Sequence, residues 1–149
     1  MKNHRNKSIK HSAAQTLEKL ENEVWPEDGT SSYLIETCSA LRKKPLPDFE
    51  VEDLRIMIGQ NISLPILIPM AIKVLEQNIL ASGDFYPGDL LTVLLKSEKS
   101  YWEREPLNWN SVCTLFRQQQ ALLDASDTSR SIKRAWHDAF ATFEKYHVC

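Results

Sequence analysis

The sequence predicts an all-α fold, a compact single-domain bundle of about seven helices, and three observations lead there. Apolar residues recur at three- and four-residue spacing along most of the chain, and no segment shows the two-residue alternation of a half-buried strand. Four glycines in 149 residues are also few for a fold built from tight hairpin turns. A chain of this length can bury a self-sufficient core.

Residues 1–11, "MKNHRNKSIKH", are polar and cationic and read as a flexible basic tail ahead of a helical domain at 12–149. Ser12 and Gln15 form a capping box that starts a first helix at about 13, and Leu17, Leu20 and Val24 carry its stripe until "WPEDG" stops it near 24. "SSYLIETCSALRKKP" gives a second helix with Leu34, Cys38 and Leu41 inward and Pro45 as terminator. "VEDLRIMIGQN" gives a third, with acids in its first turn and Gly59 near its end, although Glu50 is a poor cap.

"SLPILIPMAIKVLEQN" is the most apolar piece and should run through the centre of the core. Pro65 suits a first turn, but Pro69 inside a helix costs about 3 kcal/mol, so a break is expected near Ile68 with the main helix after it. "GDFYPGDLL", residues 83–91, turns the chain at Gly83 and Asp84; Pro87 then sets φ for the next helix, and Asp89 meets that helix's positive end. "EKSYWEREP" reads as a short helix, "NWNSVCTLFRQQQALLD" as a long one capped by Asn108. A last helix carries Ile132, Trp136, Ala139, Phe140 and Phe143 on one stripe.

Several chemistries find no support. "GDFYPGDLL" offers carboxylates where a phosphate loop needs amides and a Lys. Asp84 and Asp89 could form an acid/base pair in a small helical enzyme, yet turn and cap chemistry explains both more simply. His4, His11, His137 and His147 lack ligand spacing, so no metal or other cofactor is expected and surface positions are the default. Cys38, Cys113 and Cys149 have no paired spacing and fit reduced thiols, the first two as small core residues. The absence of a leader and of a bilayer-spanning run points to a cytoplasmic protein with no membrane partner.

Charge is unevenly spread. Lys2, Arg5, Lys7 and Lys10 lie in the tail, which leaves 14 bases against 20 acids, a charge of −6, in residues 12–149. Such a body suits a basic protein partner better than nucleic acid, although a helical regulator binding nucleic acid through the tail is a rival reading. Glu21, Glu23, Glu27 and Asp28, with Trp25 among them, are the candidate partner-binding residues.

The run from about 33 to 95 contains "LRKKPL" (41–46), "EDLRIMIGQNI" (52–62), "P-x-A-I" (69–72) and "GDFYPGDLL" (83–91). In order and spacing these pieces resemble a family of small bacterial immunity proteins from contact-dependent growth inhibition (CDI) systems. The resemblance implies a non-enzymatic cytoplasmic protein that neutralises its cognate toxin, the C-terminal domain of a large surface-delivered CDI protein. Many such toxins are nucleases, and no small-molecule substrate is implied. The matching residues Asp53, Leu54, Gly59, Gln60, Asn61, Pro69, Asp84, Tyr86, Pro87, Gly88 and Asp89 read mainly as scaffold.

Overall fold

The computed structural model describes residues 15–26, 29 and 32–147, and these form an all-α arrangement. Eight α-helices occur among them: α1 (Leu17–Glu21), α2 (Tyr33–Arg42), α3 (Val51–Gly59), α4 (Leu64–Gln77), α5 (Asp89–Leu95), α6 (Lys99–Arg104), α7 (Pro106–Ala125) and α8 (Arg130–Phe143). Short 3₁₀ turns at Leu46–Asp48 and Glu144–Tyr146 complete the described elements.

α1 is shorter than its periodicity suggests. Thr16 is extended, its hydroxyl accepts from the Lys19 N–H, and the helix ends at Asn22, which is left-handed at φ 52°. The Ser12 half of the expected capping box lies outside the described residues. α2 is capped by Ser32, whose hydroxyl accepts from the Ile35 N–H. α3 starts directly after Glu50, because Asp53 in the first turn reaches back to accept from the Glu50 N–H at 2.9 Å.

Gly59 lies at the end of α3 as expected, and Asn61 closes the helix. Gly59 is the last helical residue, whereas Asn61 takes the left-handed conformation at φ 56°. Its N–H donates to the Ile58 carbonyl and the Ile62 N–H to that of Met57, the paired bonds of a Schellman motif. The Asn61 side chain also accepts from the Glu98 N–H at 2.8 Å, which ties this turn to the start of α6.

α4 is continuous through Pro69, and the expected break at Ile68 does not occur. The missing N–H orphans only the carbonyl of Pro65, an exposed residue in the first turn where water can reach it. Burial of Leu67, Ile68, Ala71, Ile72 and Leu75 along one stripe outweighs the remaining cost of the ring. α7 begins earlier than expected, with Pro106 at its first position; Asn108 sits inside it and donates to the Tyr101 hydroxyl at 2.9 Å.

The centre of the core is α5, not α4: six of its seven residues are buried, including Asp89. It packs against α3, α4 and α8. The aromatic side of the core is built by Trp102, Trp136, Phe116 and Phe143, with Phe116 stacked on Phe140 at 4.0 Å. Every buried indole N–H is satisfied: Trp102 on Ser97 Oγ, Trp109 on the Phe143 carbonyl and Trp136 on the Gly88 carbonyl. Cys38 and Cys113 are buried within this core, and burial pushes the Cys38 thiol pKa up.

Candidate functional site

Two clusters hold the candidate residues. The first is organised by Arg42, at the end of α2 and only 2% exposed. Its guanidinium pairs with the Glu21 carboxylate, donates through Nη2 to the Glu23 carbonyl at 2.8 Å, and lies against the Trp25 ring with its centroid 5.2 Å away. Ser63, left-handed at φ 54°, donates its hydroxyl to Glu21 at 2.9 Å and accepts from Arg42 Nη1 at 3.3 Å.

A buried guanidinium without partners is strongly destabilising, so each of these contacts offsets desolvation. The cluster fastens α1 and the chain after it to α2 and to the start of α4. Glu21 and Trp25 therefore face the fold as well as its rim, while the Glu23 side chain remains exposed. Glu27 and Asp28 lie outside the described residues. Large apolar side chains are exposed along the same N-terminal unit, among them Val24, Tyr33 and Ile35.

The second cluster is the loop of "GDFYPGDLL". Asp89, the first residue of α5, is 2% exposed, and its carboxylate faces back into the loop. It accepts from the N–H groups of Gly83 at 2.7 Å, Phe85 at 3.1 Å and Tyr86 at 3.4 Å. Asp84 is exposed and gives its backbone N–H to Glu52 at 2.9 Å. The two aspartates thus have unlike surroundings, one enclosed by amides and the other open to solvent.

Glu52 and Arg55, one turn apart on α3, support the loop from below. Arg55 holds Glu52 through two contacts at 2.6 and 2.5 Å, and its Nε lies 3.9 Å from Asp89. The bond from Arg55 holds the Glu52 carboxyl below the usual carboxylate range, aided by the Asp84 N–H, and Glu52 in turn raises the Arg55 pKa. On the same helix, the hydrogen bond to Asp53 at 2.7 Å raises the Lys44 pKa.

Gly88 is sterically required, and Gly83 is closely enclosed. A Cβ on Gly83 would lie 2.3 Å from Glu52 Oε1, and one on Gly88, at φ +86°, would lie 2.3 Å from Trp136 Cζ2. Pro87 does not open α5 as expected. It precedes the cap residue Gly88 and pairs with Ser82 in an isolated antiparallel bridge. Tyr86 donates to Thr92 Oγ1 at 3.0 Å, which in turn donates to the Gly88 carbonyl at 3.2 Å.

The remaining histidines differ from simple surface residues. His137 Nε2 is 2.7 Å from Asp124 Oδ1, joining α8 to α7, and His147 is half-buried with Nε2 2.7 Å from the Trp102 carbonyl. Among the described residues no three His, Cys, Asp or Glu side chains are grouped to hold a metal, and no helix is long and apolar enough to cross a membrane.

Together the two clusters sit on a helical scaffold whose loops are held by charged hydrogen bonds and whose surface carries exposed apolar side chains. The chain matches the family model described as CDI immunity proteins over residues 19–112, which spans both clusters, and it belongs to that family. The family is one of toxin-neutralising immunity proteins, and it suggests a non-enzymatic inhibitor. No curated protein matches the chain.

Local spacing did not reveal Arg42, Ser63, Glu52, Arg55 or Phe85 as members of these clusters. Arg42 stands in the basic run "LRKK", which reads as a solvated helix end. Its partners Glu21 and Ser63 are each 21 residues away along the chain. The one local signal is the Glu52–Arg55 spacing, which places both on one helix face.

Proposed function

We propose that this protein neutralises a cognate toxin domain by stoichiometric binding in the cytoplasm, without catalysis of its own, and that the toxin is a nuclease. The toxin would be the C-terminal domain of a large surface-delivered protein. The observation that carries the reading is the family match over residues 19–112, taken with the charge of −6 in residues 12–149. Nuclease surfaces are cationic because they attract phosphate backbones, so an acidic inhibitor gains encounter rate and partner selectivity. Residues 1–11 would form a flexible tail, and residues 12–149 the immunity domain.

Contact is assigned to the acidic N-terminal segment of Glu21, Glu23, Trp25, Glu27 and Asp28. Arg42 supports that assignment physically, because it fixes Glu21, the Glu23 backbone and Trp25 before any partner arrives. Colicin nuclease–immunity pairs reach Kd of about 10⁻¹³–10⁻¹⁶ M through interfaces of ordinary size, so a comparable affinity is within reach of such a surface. The test is co-expression with the toxin domain encoded beside this protein. Growth should be restored, and continued growth arrest at matched expression would sink the reading.

A further inference from the structure

The large hydrophobic side chains exposed among the described residues include one phenyl ring, Phe85, at 71% exposure. A single apolar side chain on a surface needs no explanation by itself. Phe85 is unusual in how firmly it is held. Its N–H is bound by Asp89, and the amides of Gly83, Asp84 and Tyr86 around it are bound by Asp89 or Glu52. Its ring lies over the Arg55 guanidinium, 4.2 Å from ring centroid to Cζ, and Glu52 grips that guanidinium through two contacts.

The ring is not what holds the loop. Two carboxylates and the sterically required Gly88 fix the backbone, and one cation–π contact adds little to them. The loop therefore presents the ring, and a backbone fixed in advance leaves only the ring's two χ angles to be ordered on docking. The loop and the α3 start that supports it carry exposed acids. Asp84 on the loop, and Asp48 and Glu50 at the start of α3, are exposed, while the cations Arg55 and Lys44 are engaged by Glu52 and Asp53.

We propose that Phe85 is an aromatic anchor of the toxin-binding surface, inserting into an apolar socket on a cationic face of the toxin domain with Asp84 at its rim. This rests on the toxin-binding reading above. It adds an anchor at the loop of 83–88, outside the N-terminal segment. An aromatic on a fixed backbone with a charged border matches the make-up of interface hot spots, and the acidic border selects a basic partner over a second copy of this acidic chain.

The experiment is surface plasmon resonance of the full chain against the catalytically inactivated toxin domain encoded beside it. Phe85→Ala should weaken binding by about 30-fold or more, mainly through faster dissociation, with an unchanged thermal midpoint. Phe85→Tyr, which keeps the ring, should restore most of the affinity. Asp84→Lys should slow association and reduce its salt dependence while leaving dissociation nearly unchanged. If the parent protein does not bind, the toxin-binding reading itself falls. If the parent binds and Phe85→Ala binds within about twofold of it, only the anchor is overturned. Loss of self-association on Phe85→Ala, with toxin binding intact, would likewise overturn it in favour of a second copy.

Discussion

Replacing Asp89 with Asn tests whether one buried carboxylate organises the motif loop. The carboxylate accepts three backbone N–H groups, at 2.7, 3.1 and 3.4 Å, and stands 3.9 Å from Arg55. Asn can keep the shortest bond with its one oxygen. Its amide nitrogen then faces the N–H groups of Phe85 and Tyr86, donor against donor. A hydrogen bond to a charged group contributes about 1.5–3 kcal/mol, and water at the exposed Phe85 recovers part of the loss. The expected destabilisation is about 2–4 kcal/mol. For a chain of this size each kcal/mol lowers the thermal midpoint by about 2–4 °C, so a loss of ~3 kcal/mol corresponds to a fall of about 6–12 °C. Thermal unfolding followed by circular dichroism gives the midpoint, and amide exchange at residues 83, 85 and 86 localises the change. A variant melting within about 1 °C of the parent would refute the role given to Asp89.

Three further outcomes are expected. Glu21→Gln leaves the buried Arg42 guanidinium without its counter-charge; because Glu21 is partly exposed the loss should be about 1–3 kcal/mol by urea denaturation, whereas Glu23→Gln, which leaves the Glu23 carbonyl in place, should cost under about 0.5 kcal/mol. Pro69→Ala supplies the donor that the Pro65 carbonyl lacks, so it should stabilise by about 1–2 kcal/mol after the lost unfolded-state restriction is subtracted, and a lower denaturation midpoint would contradict that account. The Glu52 carboxyl is held below its unfolded value, so its contribution is complete above roughly pH 4.3 and fades as pH falls through the lowered folded value; Glu52→Gln should flatten that acid limb of stability against pH, and an unaltered limb would reject the Arg55 bond as its cause.

The parts of the fold legible in the sequence are those whose signal repeats within a few residues. The stripe of Trp136, Ala139, Phe140 and Phe143 in α8 is one, and Ser32 at the head of α2 is another. α5 escaped as the core centre because seven residues are too few to display a period, and its burial is imposed by α3, α4 and α8 around it. The continuity of α4 through Pro69 follows from the same kind of tertiary override. Asn61, just past Gly59 at the end of α3, shows a left-handed residue chosen partly for its side chain, which caps the start of α6.

The candidate site divides in the same way. Asp89 was legible as a charge at a helix start, but its three amides come from a loop folded back over it. The acids Glu21 and Glu23 were legible as a patch, and Trp25 as its neighbour, whereas the guanidinium that fixes all three comes from a basic run elsewhere in the chain. Pairings between distant segments leave no spacing for a sequence reading to find.

The central claim is neutralisation of a toxin by stoichiometric binding, and titrating this protein into the active toxin domain tests it most directly. With toxin held well above Kd, activity should fall linearly and reach zero at one equivalent. Activity that persists at several equivalents would contradict inhibition by binding, and activity abolished by a few hundredths of an equivalent would contradict the stoichiometric mechanism in favour of a catalytic one.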